Sequence, residues 1–113
     1  MMFKQEDLNN LDYTFAFLEV EHAENVLTIT LNRPEKKNAL HPVTANELAF
    51  ALTYAKQNKD VWAVVIKANG DVFCAGADLK AFMTGGGETN TTVPKADGEI
   101  LIGELFNELH KPC

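Results

Sequence analysis

The stretch Val64-Val65-Ile66-Lys67-Ala68-Asn69-Gly70-Asp71-Val72-Phe73-Cys74-Ala75-Gly76-Ala77-Asp78-Leu79-Lys80 reads as a strand, a turn, three small residues and a helix start. Val61 to Lys67 is a nearly continuous apolar run of strand length. Such a run belongs to a strand covered on both faces, which points to parallel pairing with a crossover helix before it. Ala75-Gly76-Ala77 removes side-chain bulk where a backbone approaches something closely, and Gly76 permits unusual dihedrals. Two uses of such a turn are open. It can let a strand and helix pack tightly, the commoner use on composition alone. Or the unpaired N–H groups of a helix start can face an anion or a developing oxyanion.

Upstream, Phe15 to Glu21 and Val26 to Leu31 are short runs rich in β-branched and aromatic residues. Leu27, Ile29 and Leu31 alternate with Val26, Thr28 and Thr30, the period of a strand with one wetter face. His22-Ala23-Glu24-Asn25 between them suits a turn, so the two runs should form a β-hairpin. Asn32 to Asn38 is a polar loop broken by Pro34. Pro42 suits the first turn of a helix capped by His41, and Leu48, Leu52 and Ala55 give it an apolar stripe to about Asn58. The order is strand, strand, helix, strand. This is an α/β arrangement.

Downstream, a short second helix is expected from Asp78 to Met83, and Gly85 to Thr92 has the composition of a mobile loop. Asp97 can cap a last helix bearing Ile102, Leu105, Phe106 and Leu109 at helical spacing. Residues 1–12 are polar and without period, and are read as a loose leader before residues 13–113, which are read as the N-terminal portion of one domain.

The 113 residues carry 10 Lys+Arg against 16 Asp+Glu, a formal charge of −6, which opposes nucleic-acid binding in the absence of a basic patch. No apolar run approaches the roughly 20 residues of a membrane span. The opening Met1 to Asp7 has neither the apolar segment of a secretory signal nor the Arg-rich pattern of a transit peptide. Cys74 and Cys113 are too few for a disulfide framework. A cytoplasmic protein is expected.

Leu31-Asn32-Arg33-Pro34 through Lys37-Asn38-Ala39-Leu40, then Val64-Val65-Ile66 and Phe73-Cys74-Ala75-Gly76-Ala77-Asp78-Leu79-Lys80, closely resemble the enoyl-CoA hydratase/isomerase (crotonase) family. The likeness covers about residues 14 to 113, with both blocks in the family's order. It implies a spiral of β-β-α units that binds acyl-CoA thioesters and stabilises an enolate. By that resemblance Ala77 gives a backbone N–H to the thioester oxygen, and Ala75, Asp78, Leu79 and Lys80 line the acyl-CoA pocket beside it. Lys37 and Ala39 match positions along the pantetheine and nucleotide. A fixed donor aimed at the charge that develops on that oxygen stabilises the transition state more than the ground state. The resemblance implies no metal and no redox cofactor, with coenzyme A entering as part of the substrate, and a homotrimer or hexamer for a full-length enzyme.

The family takes a second oxyanion N–H, and its acid/base carboxylates, from further along the chain than His110-Lys111-Pro112-Cys113. Gly85-Gly86-Gly87 does not replace them. The expectation is an N-terminal portion of such an enzyme, inactive alone. Its rivals are another crotonase chemistry (thioesterase, decarboxylase or dehalogenase) and a non-catalytic module that holds CoA esters.

Other candidates have plainer readings. Glu19, Glu21 and Glu24 suit a solvated hairpin face better than a carboxylate cluster. Asp78 more readily meets nearby helix-terminal N–H groups than acts as a base. His110 and Cys113 lack the two further ligands of a zinc site. Cys74 fits a buried small hydrophobe, and Trp62 and Phe106 fit core or interface packing. Arg33, Lys36 and Lys37 suit either CoA phosphates or a solvated basic loop.

Overall fold

In the computed structural model, residues 3–73, 79–84 and 89–96 are described. Three strands form one sheet in the order β1-β2-β3: β1 is Leu18–Ala23, β2 Val26–Leu31 and β3 Ala63–Ala68. β1 and β2 are antiparallel, with Ala23 opposite Val26, so only Glu24 and Asn25 form the turn. Both have positive φ, 52° and 66°, the geometry whose twist matches that of a two-residue hairpin.

The hairpin therefore extends two residues further toward the turn than the sequence predicts, and β1 starts at Leu18 rather than Phe15. A side chain explains the late start. The amides of Ala16 and Phe17 donate to the carboxylate of Glu47, Phe17 at 2.9 Å, instead of to a neighbouring strand.

β3 runs parallel to β2, with Leu27 opposite Val64 and Ile29 opposite Ile66. The connection is α1, Pro42–Gln57, as the apolar run predicts. His41 caps it: Nδ1 accepts from the Val43 amide at 3.0 Å, and Pro42 occupies the first turn. Leu27, Ile29 and Leu31 are buried together with Leu48, Ala49, Phe50 and Ala51 of the helix.

Coverage of β3 differs from the expectation of two buried faces. Val64, Ile66 and Ala68 are half-buried, whereas Ala63, Val65 and Lys67 are exposed. Register accounts for this, because only the first set lies beside Leu27, Ile29 and Leu31 on the helix-covered face. Trp62, expected in a core or interface, is 75% exposed among the described residues.

Two further segments are more ordered than their composition suggests. Residues 3–9 are not a loose leader. Gln5–Asn9 form a 3-10 turn, and Phe3 and Leu8 are buried. The Phe3 and Tyr13 rings meet Phe50 edge-to-face at 5.2 and 5.3 Å, a favourable aromatic geometry. The Tyr13 hydroxyl donates to the Asp7 carbonyl at 2.9 Å. Burial, then the charges of Asp7 and Asp12, raises its pKa above the usual 10.0 and keeps it a donor.

The second segment is residues 89–96, the described part of the stretch after the Gly85–Gly87 run. Asn46 of α1 donates to the Pro94 carbonyl and accepts from the Ala96 amide, at 3.0 and 2.8 Å. The Thr91 hydroxyl donates to Glu47 at 2.7 Å, and Val93 and Ala96 are buried. Side-chain partners thus order a segment that lacks any apolar period. The predicted helix after Asp97 lies outside the described residues. Among the described residues no helix is long and apolar enough to cross a membrane.

Candidate functional site

The polar loop between β2 and α1 is a folded unit. Pro34–Lys36 make a 3-10 turn, closed by the Lys37 amide donating to the Pro34 carbonyl at 3.0 Å. The Ala39 amide then donates to the Lys36 carbonyl at 3.0 Å. Arg33 donates through Nη1 to the Ala39 carbonyl at 3.1 Å, and its guanidinium lies 5.2 Å from the centre of the Phe17 ring. Arg33 is thus built into the loop by a hydrogen bond and a cation–π contact. Lys36 and Lys37 are exposed.

Lys37 and Asn38 both adopt left-handed backbone, with φ of 53° and 55°. For residues other than glycine this costs on the order of 1 kcal/mol each and persists only where the surroundings impose it. Backbone bonds close the loop, the Asn38 amide donating to the Arg33 carbonyl at 2.9 Å, and the side chain of Asn38, a residue only 2% exposed, adds three more. Its Oδ1 accepts from the Arg33 amide at 2.8 Å. Its Nδ2 donates to the Asn69 carbonyl at 2.7 Å and the Val72 carbonyl at 2.8 Å.

Those carbonyls flank the turn that follows β3. The Asn69 amide donates to the Leu31 carbonyl at 2.9 Å, and its side chain donates to Asn32 Oδ1 at 3.0 Å and Glu19 Oε1 at 3.1 Å. Gly70 has φ of 91°, and a Cβ placed on it would stand 2.9 Å from the Pro34 Cβ. The loop and the turn therefore touch through a site that admits only glycine. Gly70→Ala is expected to lower the unfolding free energy by about 2 kcal/mol, from positive φ and overlap together. A shifted urea midpoint with unchanged slope would show it; an unshifted midpoint would mean the turn is not packed this way.

The sequence-predicted site residues divide as follows. Lys37 and Ala39 lie on this loop, Lys37 exposed and Ala39 half-buried, with both Ala39 backbone groups hydrogen-bonded inside the loop. Leu79 opens the short helix α2, Leu79–Thr84, and Lys80 in its first turn is exposed. Ala75, Ala77 and Asp78 lie outside the described residues, as do Cys74, His110 and Cys113. The structure thus joins the first sequence block to the turn that leads into the second, through Asn38, Gly70 and Pro34.

Two carboxylate readings are also placed. Glu19, Glu21 and Glu24 are exposed along the hairpin, a solvated face. Glu47 is fully buried, which its position among alanines and leucines does not announce. Two backbone amides and the Thr91 hydroxyl donate to its carboxylate, so it ties three segments together. Among the described residues no group of three or more His, Cys, Asp or Glu side chains is placed to hold a metal ion.

Comparison with known proteins places the chain in a family. Residues 21–107 match the family model described as enoyl-CoA hydratase/isomerase. A probable enoyl-CoA hydratase of Mycobacterium bovis is 39% identical over 67 residues, 59% of this chain and 26% of that protein. Among solved structures, an enoyl-CoA hydratase/isomerase from Mycobacterium paratuberculosis superposes with a TM-score of 0.59 at 38% identity. It is matched over 65% of this chain and 27% of that one. A carnitinyl-CoA hydratase from Mycobacterium avium gives a TM-score of 0.59 at 43% identity, over 66% and 29% of the two chains. The chain spans about a quarter of the length of the curated relatives it matches. With the hairpin, crossover helix and parallel strand of the crotonase fold in place and the family pattern running through most of its length, this chain belongs to the enoyl-CoA hydratase/isomerase family.

Proposed function

We propose that this chain supplies the thioester-holding part of an acyl-CoA-processing enzyme, an enoyl-CoA hydratase or isomerase in the complete protein. The observation that carries the reading is the junction of loop 33–40 with turn 69–72 through Asn38. It brings the segment read as the nucleotide and pantetheine side next to the chain that enters the Ala75-Gly76-Ala77 turn. Two relatives named for reactions of CoA esters, enoyl-CoA and carnitinyl-CoA, support the same substrate class.

Hydration or isomerisation of an α,β-unsaturated thioester gathers charge on the carbonyl oxygen. In this reading the Ala77 N–H donates to that oxygen, while Ala75, Asp78, Leu79 and Lys80 bound the pocket, and Lys37 and Ala39 flank the nucleotide end. One such donor is typically worth ~10²–10³ in rate. A second donor and the carboxylates that move protons come from other parts of the complete enzyme. The 113 residues themselves bind the thioester without turning it over. Neither a metal nor a redox cofactor takes part.

The test is to melt the purified chain with and without crotonyl-CoA and to assay hydration of the same compound. Saturating ligand at 100 times Kd stabilises by about 2.7 kcal/mol, enough to raise the melting temperature by roughly 10 °C or more in a domain of this size. Hydration stays at the uncatalysed rate. An unmoved melting temperature would end the acyl-CoA reading, and turnover would show that the proton-moving groups lie within this chain.

A further inference from the structure

Asn38 uses all the hydrogen-bonding capacity that matters at its position. Oδ1 accepts from its own loop at Arg33, and the two Nδ2 hydrogens go to carbonyls on either side of Gly70-Asp71. A buried side-chain amide with both donors on the backbone of one turn clamps that turn at two points. The clamp sits three residues before Ala75, a span of at most about 11 Å along the chain. On its other side the Oδ1 bond to Arg33 joins the backbone bonds that close the loop around the left-handed pair Lys37 and Asn38. One side chain thus bonds both the loop and the turn and ties them together.

We propose that Asn38 is a positioning residue for acyl-CoA: it registers loop 33–40 against turn 69–72 so that the nucleotide end and the thioester end of one ligand are held together. The proposal rests on the acyl-CoA reading above and adds to it a residue that touches no reacting atom. Asn38→Gly keeps the positive φ without strain and deletes the clamp together with the Oδ1 bond to the Arg33 amide. Asn38→Asp keeps the shape and the acceptor, but sets an oxygen against the Asn69 and Val72 carbonyls, where a donor is needed. Asn25→Gly is the control. It removes a side-chain amide on the Asp60 carbonyl, 2.9 Å away, from another left-handed position outside the loop.

Calorimetric titration of the 113-residue chain compares crotonyl-CoA with free coenzyme A at a temperature where circular dichroism shows every variant folded. Both Asn38 variants lose at least ~10-fold in crotonyl-CoA affinity, while Asn25→Gly keeps the wild-type value. The ratio of the free-CoA to the crotonyl-CoA Kd also falls toward one, because the two ends of the ligand are no longer in register. General destabilisation would not move that ratio. Folded Asn38 variants with wild-type affinity and ratio overturn the proposal.

Hydrogen exchange of the unliganded chain tests the clamp separately. The amides of Lys37, Ala39 and Asn69 exchange ~10-fold faster together in Asn38→Gly, with the β1–β2 amides unchanged. Acceleration confined to Lys37 and Ala39 overturns the clamp whatever the ligand does. If the wild-type chain binds neither compound while the three amides respond together, the acyl-CoA reading and the ligand role fail and the clamp alone stands.

Discussion

Glu47→Ala is expected to lower the unfolding free energy by about 4 kcal/mol, because the amides of Ala16 and Phe17 and the Thr91 hydroxyl lose their acceptor at once. A buried donor left without a partner costs about 1–3 kcal/mol, and these three, being part-buried, lie at the lower end. Against the roughly 5–15 kcal/mol of a typical domain, that loss leaves the chain marginal. Glu47→Gln retains one oxygen acceptor and should fall between the two. Urea unfolding followed by circular dichroism checks both. A loss below about 1 kcal/mol for the alanine variant would mean that the segments around residues 16 and 91 do not converge on this carboxylate.

Phe50→Ala should cost a comparable amount, about 3–5 kcal/mol, through lost burial and the cavity left behind. Phe50 is fully buried where α1 meets the N-terminal segment, with the Phe3 and Tyr13 rings edge-on to it. The informative quantity is its coupling to Phe3. A double-mutant cycle of Phe3→Ala with Phe50→Ala should return about 0.5–1.5 kcal/mol of interaction. Strict additivity would mean that residues 3–9 are not packed on the helix.

The framework was legible because local and long-range signals agreed. Alternation fixed β2, Pro42 and His41 fixed the helix start, and the apolar run Val61–Lys67 implied the parallel pairing that β2 and β3 make. What was not legible depends on single polar side chains that act across the chain. The late start of β1 follows from Glu47, 31 residues away from Ala16. The order of residues 89–96 follows from Asn46 and Glu47, and no local period reports either contact. Phe3 and Leu8 are two apolar residues in a polar stretch, too few to signal a turn that packs on Phe50.

At the candidate site the same contrast holds. Lys37, Ala39 and Lys80 are expected site residues only by their place in a family pattern, and the structure sets Lys37 and Ala39 on one loop and Lys80 on α2. Asn38 stood inside that pattern without an assigned role. The signal available was its residue type: an asparagine beside a lysine in a tight loop tolerates left-handed backbone and can bond backbone groups. That it reaches the turn at 69–72 could not be read from spacing, because a 31-residue separation carries no periodic trace. Gly70 was legible only as a turn residue; its fit against Pro34 is tertiary.

The most direct measurement follows amide resonances of the isotopically labelled chain during titration with crotonyl-CoA and, separately, with free coenzyme A. Lys37, Ala39, Leu79 and Lys80 should shift with both compounds. The Ala77 amide should move only with the thioester, whose carbonyl oxygen free coenzyme A lacks. An Ala77 amide that stays put with crotonyl-CoA, or that exchanges slowly with solvent before any ligand is added, would contradict the placement of the thioester oxygen at this residue.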